Sequence, residues 1–381
     1  MPDTHRDRSD RCPGVHATHT AADGALARIR LPGGRVRPPQ LEALATATEE
    51  FGDGYLELTA RGNVQIRGVE DGVGLAELMT AAGLAAAATN DRARNIALSP
   101  LTGRIGGVAD VGDVCAELDA IVGSDAMLTG LSGRFLFGID DGRCDVIARH
   151  PDIAVLARSA DTVDVLLGDQ PLGSAPTTDA AAALAALARD KVDVAPQPWR
   201  IGDLTDVERE EIIIRARDRL APPVGPITQV APSPSPIVGW FDQDDGAVLL
   251  GAVVELARVP AQLLHFLAAV NKPVIVTGDR EILLCDLDEA VAETVVRVLA
   301  PMGLTFDASS PWASVTCCVG SPGCGRAHAP VRDDLLARVD GGPVTGREHW
   351  SGCERGCGAP TGAHLLVEAH PDGYRRAHVH G

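Results

Sequence analysis

The sequence is poor in aromatic side chains, in lysine and in positive charge. Aromatics make up 3% of its 381 residues, so its cores must be built from Ala, Val, Leu and Ile. Basic residues number 34 against 52 acidic ones, a net charge of −18. That excludes a general nucleic-acid binder, which needs cationic excess against phosphate. No apolar run reaches the roughly 18 residues of a membrane span. The polar opening MPDTHRDRSDRCPG lacks a secretory apolar stretch, and a cytoplasmic location is expected. Lys191 and Lys272 are the only lysines, leaving 32 arginines. Coding bias in a GC-rich genome accounts for the ratio, yet a lysine-dependent site would have only two candidates.

What is present reads as globular. Hydrophobic residues are 45% and charged residues 23%, and the length allows two or three domains. Nine cysteines suit no secreted disulfide framework in a chain of this size. Cys115 and Cys285 sit in apolar patterns and read as packed thiols, whereas five cysteines crowd the last 65 residues.

A Pro-rich stretch, 221–236, carries six prolines and reads as an extended linker between two similar portions. The first runs strand 25–31, helix 38–51, strands 55–60 and 63–69, helix 74–85. The second repeats that order at 247–256, 259–270, 273–278, 281–287 and 289–304. Gln40 falls over Gln262, Thr59 over Thr277 and Gly83 over Gly303, with offsets of 218 to 222. This is the signature of a duplicated α+β unit. Period-two alternation puts Leu56, Leu58, Val64 and Ile66 on one strand face. Glu57, Thr59, Arg61, Asn63, Gln65 and Arg67 fall on the other. Two arginines among amides form a donor surface for carboxylates, although a solvated sheet face would look the same. The second copy has no such pair, so the first reads as functional and the second as structural. Between the copies a helix is expected near 109–122, a strand pair within 133–150, a strand at 162–168, and helices at 177–190 and 204–218. Strands are expected again at 363–369 and 374–380.

The strongest motif is Cys318-x5-Cys324 followed by Cys353-x3-Cys357. The wide first spacing disfavours a zinc knuckle without excluding zinc, and it suits the separated corners of a [4Fe–4S] cubane. Cys317 adjoins Cys318 and stays open as the less favoured ligand.

TCCVGSPGCGRA (316–327) and SGCERGCGAP (351–360) resemble the paired cysteine motifs of the sirohaem-containing nitrite and sulfite reductase superfamily. LTARGNVQIRG (58–68) resembles its tetrapyrrole-binding strand pair, and RARNIALSPLTG (92–103) its Arg-Asn motif for tetrapyrrole carboxylates. The resemblance implies an α+β fold, duplicated, with two ferredoxin-like half-domains and a mixed α/β cofactor-binding region. It places half-domains at 20–87 and 239–307, a cofactor- and substrate-binding α/β region at 88–220, the linker at 221–238 and the cluster region at 308–381. It further implies a [4Fe–4S] cluster on Cys318, Cys324, Cys353 and Cys357, the last bridging to sirohaem where sirohaem is used.

RCPGVHATHTAADGALARIRLPGG (11–34) is similar to the opening of the precorrin-3B synthase branch, monooxygenases of aerobic cobalamin biosynthesis. That branch implies precorrin-3A and O2 as substrates, C20 hydroxylation with γ-lactone formation, and a non-haem iron beside the cluster. In LSGRFLFGIDDG (131–142), Arg134 and Leu136 stand where the reductases carry two lysines. An arginine cannot relay protons at neutral pH, which disfavours reduction of a small anion. Arg61, Asn63, Gln65, Arg67, Arg92, Arg94, Asn95 and Arg134 are the candidate donors for a polycarboxylate tetrapyrrole. No G-x-G-x-x-G follows a strand, so a separate NADH-dependent reductase or ferredoxin is expected to supply electrons. The histidines show no metal-binding spacing that would place the iron. A sirohaem nitrite or sulfite reductase and a non-catalytic iron–sulfur or tetrapyrrole carrier remain as other readings.

Overall fold

In the computed structural model, which describes residue 10 and residues 12–226 and 235–380, the first copy runs β1 (His19–Ala21), β2 (Gly24–Ile29), β3 (Arg35–Val36), α1 (Pro38–Phe51), β4 (Tyr55–Leu58), β5 (Val64–Val69) and α2 (Gly72–Ala81). α1 starts where Pro38 and Pro39 need no N–H partner, and the Gln40 side chain turns back to the Arg37 N–H. Leu41, Leu44, Ala45 and Thr48 make its buried stripe. The second copy runs β11 (Gly239–Asp242), β12 (Val248–Val254), β13 (Arg258–Pro260), α6 (Ala261–Ala269), β14 (Val274–Val276), β15 (Ile282–Leu287) and α7 (Glu289–Leu299).

The copies are interlocked. One sheet has the order β1-β2-β5-β4-β13 and the other β11-β12-β15-β14-β3. Each is therefore closed by a short strand from the opposite copy, β13 pairing with β4 and β3 with β14. Leu44, Leu56 and Ile66 share one core with Leu263, Leu284 and Leu304. Gly33 and Gly34 explain the close crossing. Both have positive φ, and a Cβ on Gly34 would lie 2.1 Å from the Val276 carbonyl oxygen.

Between the copies lie β6 (Ile96–Leu98), α3 (Gly112–Ser124), β7 (Phe137–Asp140), β8 (Ile153–Ala157), β9 (Thr162–Leu167), β10 (Gln170–Pro176), α4 (Ala180–Val194) and α5 (Asp206–Arg217). Their sheet is ordered β10-β9-β8-β7-β6, parallel from β6 to β8 and antiparallel beyond. The strand expected to end the 133–150 pair does not form. The buried Asp140 carboxylate accepts the N–H groups of Gly142, Cys144, Val146 and Ile147, which wraps that stretch into a turn. β7 pairs instead with β6 and β8. The middle of the Pro-rich linker, 227–234, lies outside the described residues. Its flanks are held: Ala221 bridges Ser174, and the Ile237 N–H reaches Glu281.

After β16 (Leu304–Thr305), a fourth sheet forms from β17 (Val315–Cys317), β18 (Glu348–Ser351), β19 (His364–His370) and β20 (Gly373–Val379). α8 (Val331–Asp340) packs Val331 and Leu335 against Val315, Trp350 and Val367. Among the described residues no helix is long and apolar enough to cross a membrane.

Candidate functional site

The parallel pairing of β17 with β18 assembles the cysteine quartet. Cys317 stands opposite Trp350, so the two C-terminal strand ends lie side by side, the usual place for ligands on parallel strands. Cys318 follows β17 directly and bonds its N–H to the Trp350 carbonyl at 3.0 Å. Gly352, just past β18, donates its N–H to Cys318 Sγ at 3.1 Å. The Cys324 N–H bonds the Gly320 carbonyl and the His328 N–H that of Gly352, folding both loops onto the same spot. Burial pushes the Cys357 thiol up, and the nearby Cys318, Cys353 and Cys324 push it further. Cys317 faces away, beside Leu256, Trp312 and Leu335, where burial pushes its thiol up to about 12.

The donor set fits a cluster better than one metal ion. Sulfurs around a tetrahedral zinc lie about 3.8 Å apart. Among the described residues the one group of three ligating atoms within 4.8 Å is Asp140, Asp141 and Asp145. Among the described residues no three of the four thiols meet that spacing, which disfavours a mononuclear site. The three aspartates are occupied by their own partners: Asp140 by backbone N–H groups, Asp141 by Arg143 and Asp145 by the Ser99 hydroxyl.

The candidate carboxylate donors separate into two groups. Arg67 forms a bidentate pair with Asp23, both bonds 2.7 Å, and gives Nη2 to the Gly323 carbonyl at 2.9 Å. Arg94 pairs with Asp119 at 2.6 and 2.8 Å. Gln65 bonds Glu57, and Asn63 bonds Asn95, which reaches the Gly133 carbonyl. These groups brace the scaffold. Arg61, Arg92 and Arg134 make no ion pair among the described residues. Arg61 Nη1 reaches the Arg134 carbonyl at 2.9 Å, Arg92 Nη1 the Asp10 carbonyl at 2.8 Å, and Arg134 lies over the Trp199 ring at 5.0 Å.

Two arginines escaped the sequence reading. Arg28, in β2, and Arg30, just past its end, flank Ile29, a period-two signal of the kind that singled out Arg61 and Arg67. Arg30 is buried, donates among the described residues to the Pro13 and Gly133 carbonyls, and has its pKa lowered to about 10 by burial and by Arg28. The Nε atoms of Arg28 and Arg30 are buried with no partner among the described residues. Guanidiniums buried without a carboxylate mark a place that favours an anion.

A cavity of about 670 Å³ opens between the two copies, β6, the 144–149 turn and the loop after Cys357. Arg61, Arg149, Arg200 and Arg347 line it, and so does Leu136. Neither lysine does. Lys191 Nζ is held by the Pro198 carbonyl and Lys272 Nζ by that of Asp286. A second cavity, about 580 Å³ beside β9, β10, α4 and α5, is mainly apolar and holds none of the candidate residues.

Of the histidines near the cysteines, His328 is exposed. His349 is fully buried, 2.9 Å from Thr316 Oγ1 through Nδ1 and edge-on to His364 at 6.2 Å. Burial lowers its pKa to about 3, which keeps the ring neutral.

Residues 19–73 match the nitrite/sulfite reductase ferredoxin-like half domain. The chain shares the fold of the Mycobacterium tuberculosis NirA protein, with a TM-score of 0.73 over 93% of this chain and 73% of that one at 17% identity. It thus carries a half domain of the nitrite/sulfite reductase type within a NirA-like fold. The chain is also similar to a precorrin-3B synthase of Sinorhizobium sp., 27% identical over 96% of this chain and 82% of that protein. A ferredoxin–nitrite reductase of Synechococcus elongatus is 32% identical over 38% of this chain and 29% of its own length.

Proposed function

We propose that this chain is an iron–sulfur monooxygenase of the precorrin-3B synthase type. It would hydroxylate C20 of precorrin-3A and close a ring-A acetate onto the neighbouring carbon as a γ-lactone. One atom of O2 enters the substrate, and the other leaves as water with two electrons and two protons from outside the chain. The similarity to a precorrin-3B synthase along 96% of the chain carries this reading. Leu136 in the cavity wall, and two lysines held elsewhere, weigh the same way.

Cys318, Cys324, Cys353 and Cys357 would hold a [4Fe–4S] cluster, which when bound supplies electrons one at a time. Cys318 is favoured over Cys317 because its sulfur already accepts the Gly352 N–H. Arg61 and Arg134, with Arg28 and Arg30, would bind substrate carboxylates through charge-assisted bonds. Asn63 and Asn95 fix the Gly133 carbonyl beside them, while Arg67 and Arg94 hold the walls. A separate reductase or ferredoxin would deliver the electrons.

The local identity to ferredoxin–nitrite reductases favours a second reading, a sirohaem-dependent reductase. One experiment separates them. Anaerobically reconstituted protein is given a reductant and, in parallel, precorrin-3A with O2 or nitrite or sulfite. The monooxygenase reading expects conversion of the tetrapyrrole and none of the anions; untouched precorrin-3A with rapid anion reduction would reverse it.

A further inference from the structure

The two copies present equivalent hairpin turns to one cavity. In the first, Thr59 Oγ1 accepts the Arg61 and Asn63 N–H groups. In the second, Thr277 Oγ1 accepts those of Asp279 and Glu281. Gly62 and Arg280 occupy the same left-handed position, each with φ of 65°. Arg61 and Asp279 are thus counterparts across the repeat, and both line the cavity. The second copy, expected to be structural, thus also lines the cavity.

Asp279 inverts the charge of Arg61 and recruits two cations in exchange. Arg149, from the turn after β7, donates Nη2 to Asp279 Oδ2 at 2.5 Å. Arg347, leading into β18, donates Nη2 to Oδ1 at 2.8 Å and Nη1 to the Thr361 carbonyl at 3.4 Å. The two arginines hold the Asp279 carboxyl below its usual range. All three residues line the cavity, so one carboxylate stands between two guanidiniums that keep further N–H donors. Gly278 makes room: a Cβ there would lie 2.4 Å from Arg149 Nη1.

We propose that Arg149 and Arg347, oriented by Asp279, form a second carboxylate clamp in the cavity that Arg61 also lines. The inference rests on the reading of the cavity as a tetrapyrrole site. Acetates and propionates project from the whole rim of such a ring, so Arg61 alone would leave most of them unpaired and further fixed cations are needed in the cavity. Asp279 is a positioning residue. It spaces the two guanidiniums before the ligand arrives and neutralises one of the two charges in the empty cavity.

The test uses the full chain and two porphyrin probes, an octacarboxylate and a dicarboxylate, with binding followed by fluorescence quenching. Arg149→Gln and Arg347→Gln should each weaken octacarboxylate binding about tenfold to a hundredfold, the loss of one charge-assisted contact. Dicarboxylate binding should change less. Asp279→Asn should bind the octacarboxylate as tightly as the parent or more tightly, because both cations remain, the amide oxygen still accepts from them and the competing charge is gone. An interdomain brace with no ligand role predicts otherwise: Asp279→Asn and the arginine variants would then lose binding alike, and that result overturns the clamp. So do arginine variants that bind with unchanged affinity. Thermal unfolding identifies any variant that fails to fold, and either arginine alone suffices for the comparison. No octacarboxylate binding by the parent protein would instead sink the tetrapyrrole reading itself.

Discussion

Replacing Arg67 with Met should damage the fold and leave the carboxylate site intact. Arg67 is almost fully buried, its side chain 6% exposed, and Asp23 is 30% exposed. The substitution removes two bonds to Asp23 and the bond to the Gly323 carbonyl, the residue before Cys324. Breaking a buried ion pair by removing one partner costs about 3–5 kcal/mol, and the partial exposure of Asp23 reduces that to about 2–4 kcal/mol. Urea unfolding of the apoprotein measures the loss. Arg67→Met with Asp23→Leu should recover more than half of it, since no stranded charge remains. Porphyrin binding by the folded fraction should stay within about twofold of the parent. A stable Arg67→Met protein with a tenfold weaker octacarboxylate affinity would refute the reasoning and return Arg67 to the binding site.

Gly34→Ala should destabilise by about 3 kcal/mol or more, because its φ of 69° and the Val276 carbonyl leave no place for a Cβ; urea unfolding would show it. Cys318→Ser should lose the bound iron and visible absorption of the reconstituted protein, whereas Cys317→Ser should keep both, as iron analysis would show. Burial of Lys191 lowers its pKa from 10.5 to about 8, so the unfolded chain binds the extra proton between those values. Stability relative to Lys191→Met should then rise with pH across that window, by up to about 3 kcal/mol. Paired unfolding curves at pH 7 and pH 10.5 measure it, and a flat difference counts against the burial argument.

Long patterned elements were legible in the sequence, and short paired ones were not. α1 falls at 38–51, where proline punctuation and apolar periodicity place it. β3 and β13, two and three residues long, are too brief to leave a pattern, yet they carry the exchange between the copies. The turn at 141–149 read as a strand because its buried organiser, Asp140, is one acidic letter among several. The cysteine spacing pointed to a quartet with Cys317 less favoured, and the register of β17 and β18 adds the Gly352 N–H on Cys318, which no spacing reveals. Arginine positions were visible and their partners were not: Asp23 lies 44 residues from Arg67, and Asp119 lies 25 from Arg94. The offset of 218 that aligns Thr59 with Thr277 also sets Asp279 over Arg61, a signal present in the sequence that gained meaning once both hairpins faced one cavity.

The central claim meets its most direct test in labelled oxygen. Reconstituted protein with precorrin-3A, a reductant and 18O2 should yield a tetrapyrrole carrying one 18O atom, with no label acquired from H218O. Substrate recovered unlabelled and unchanged, from protein whose cluster is intact and reducible, would contradict the account.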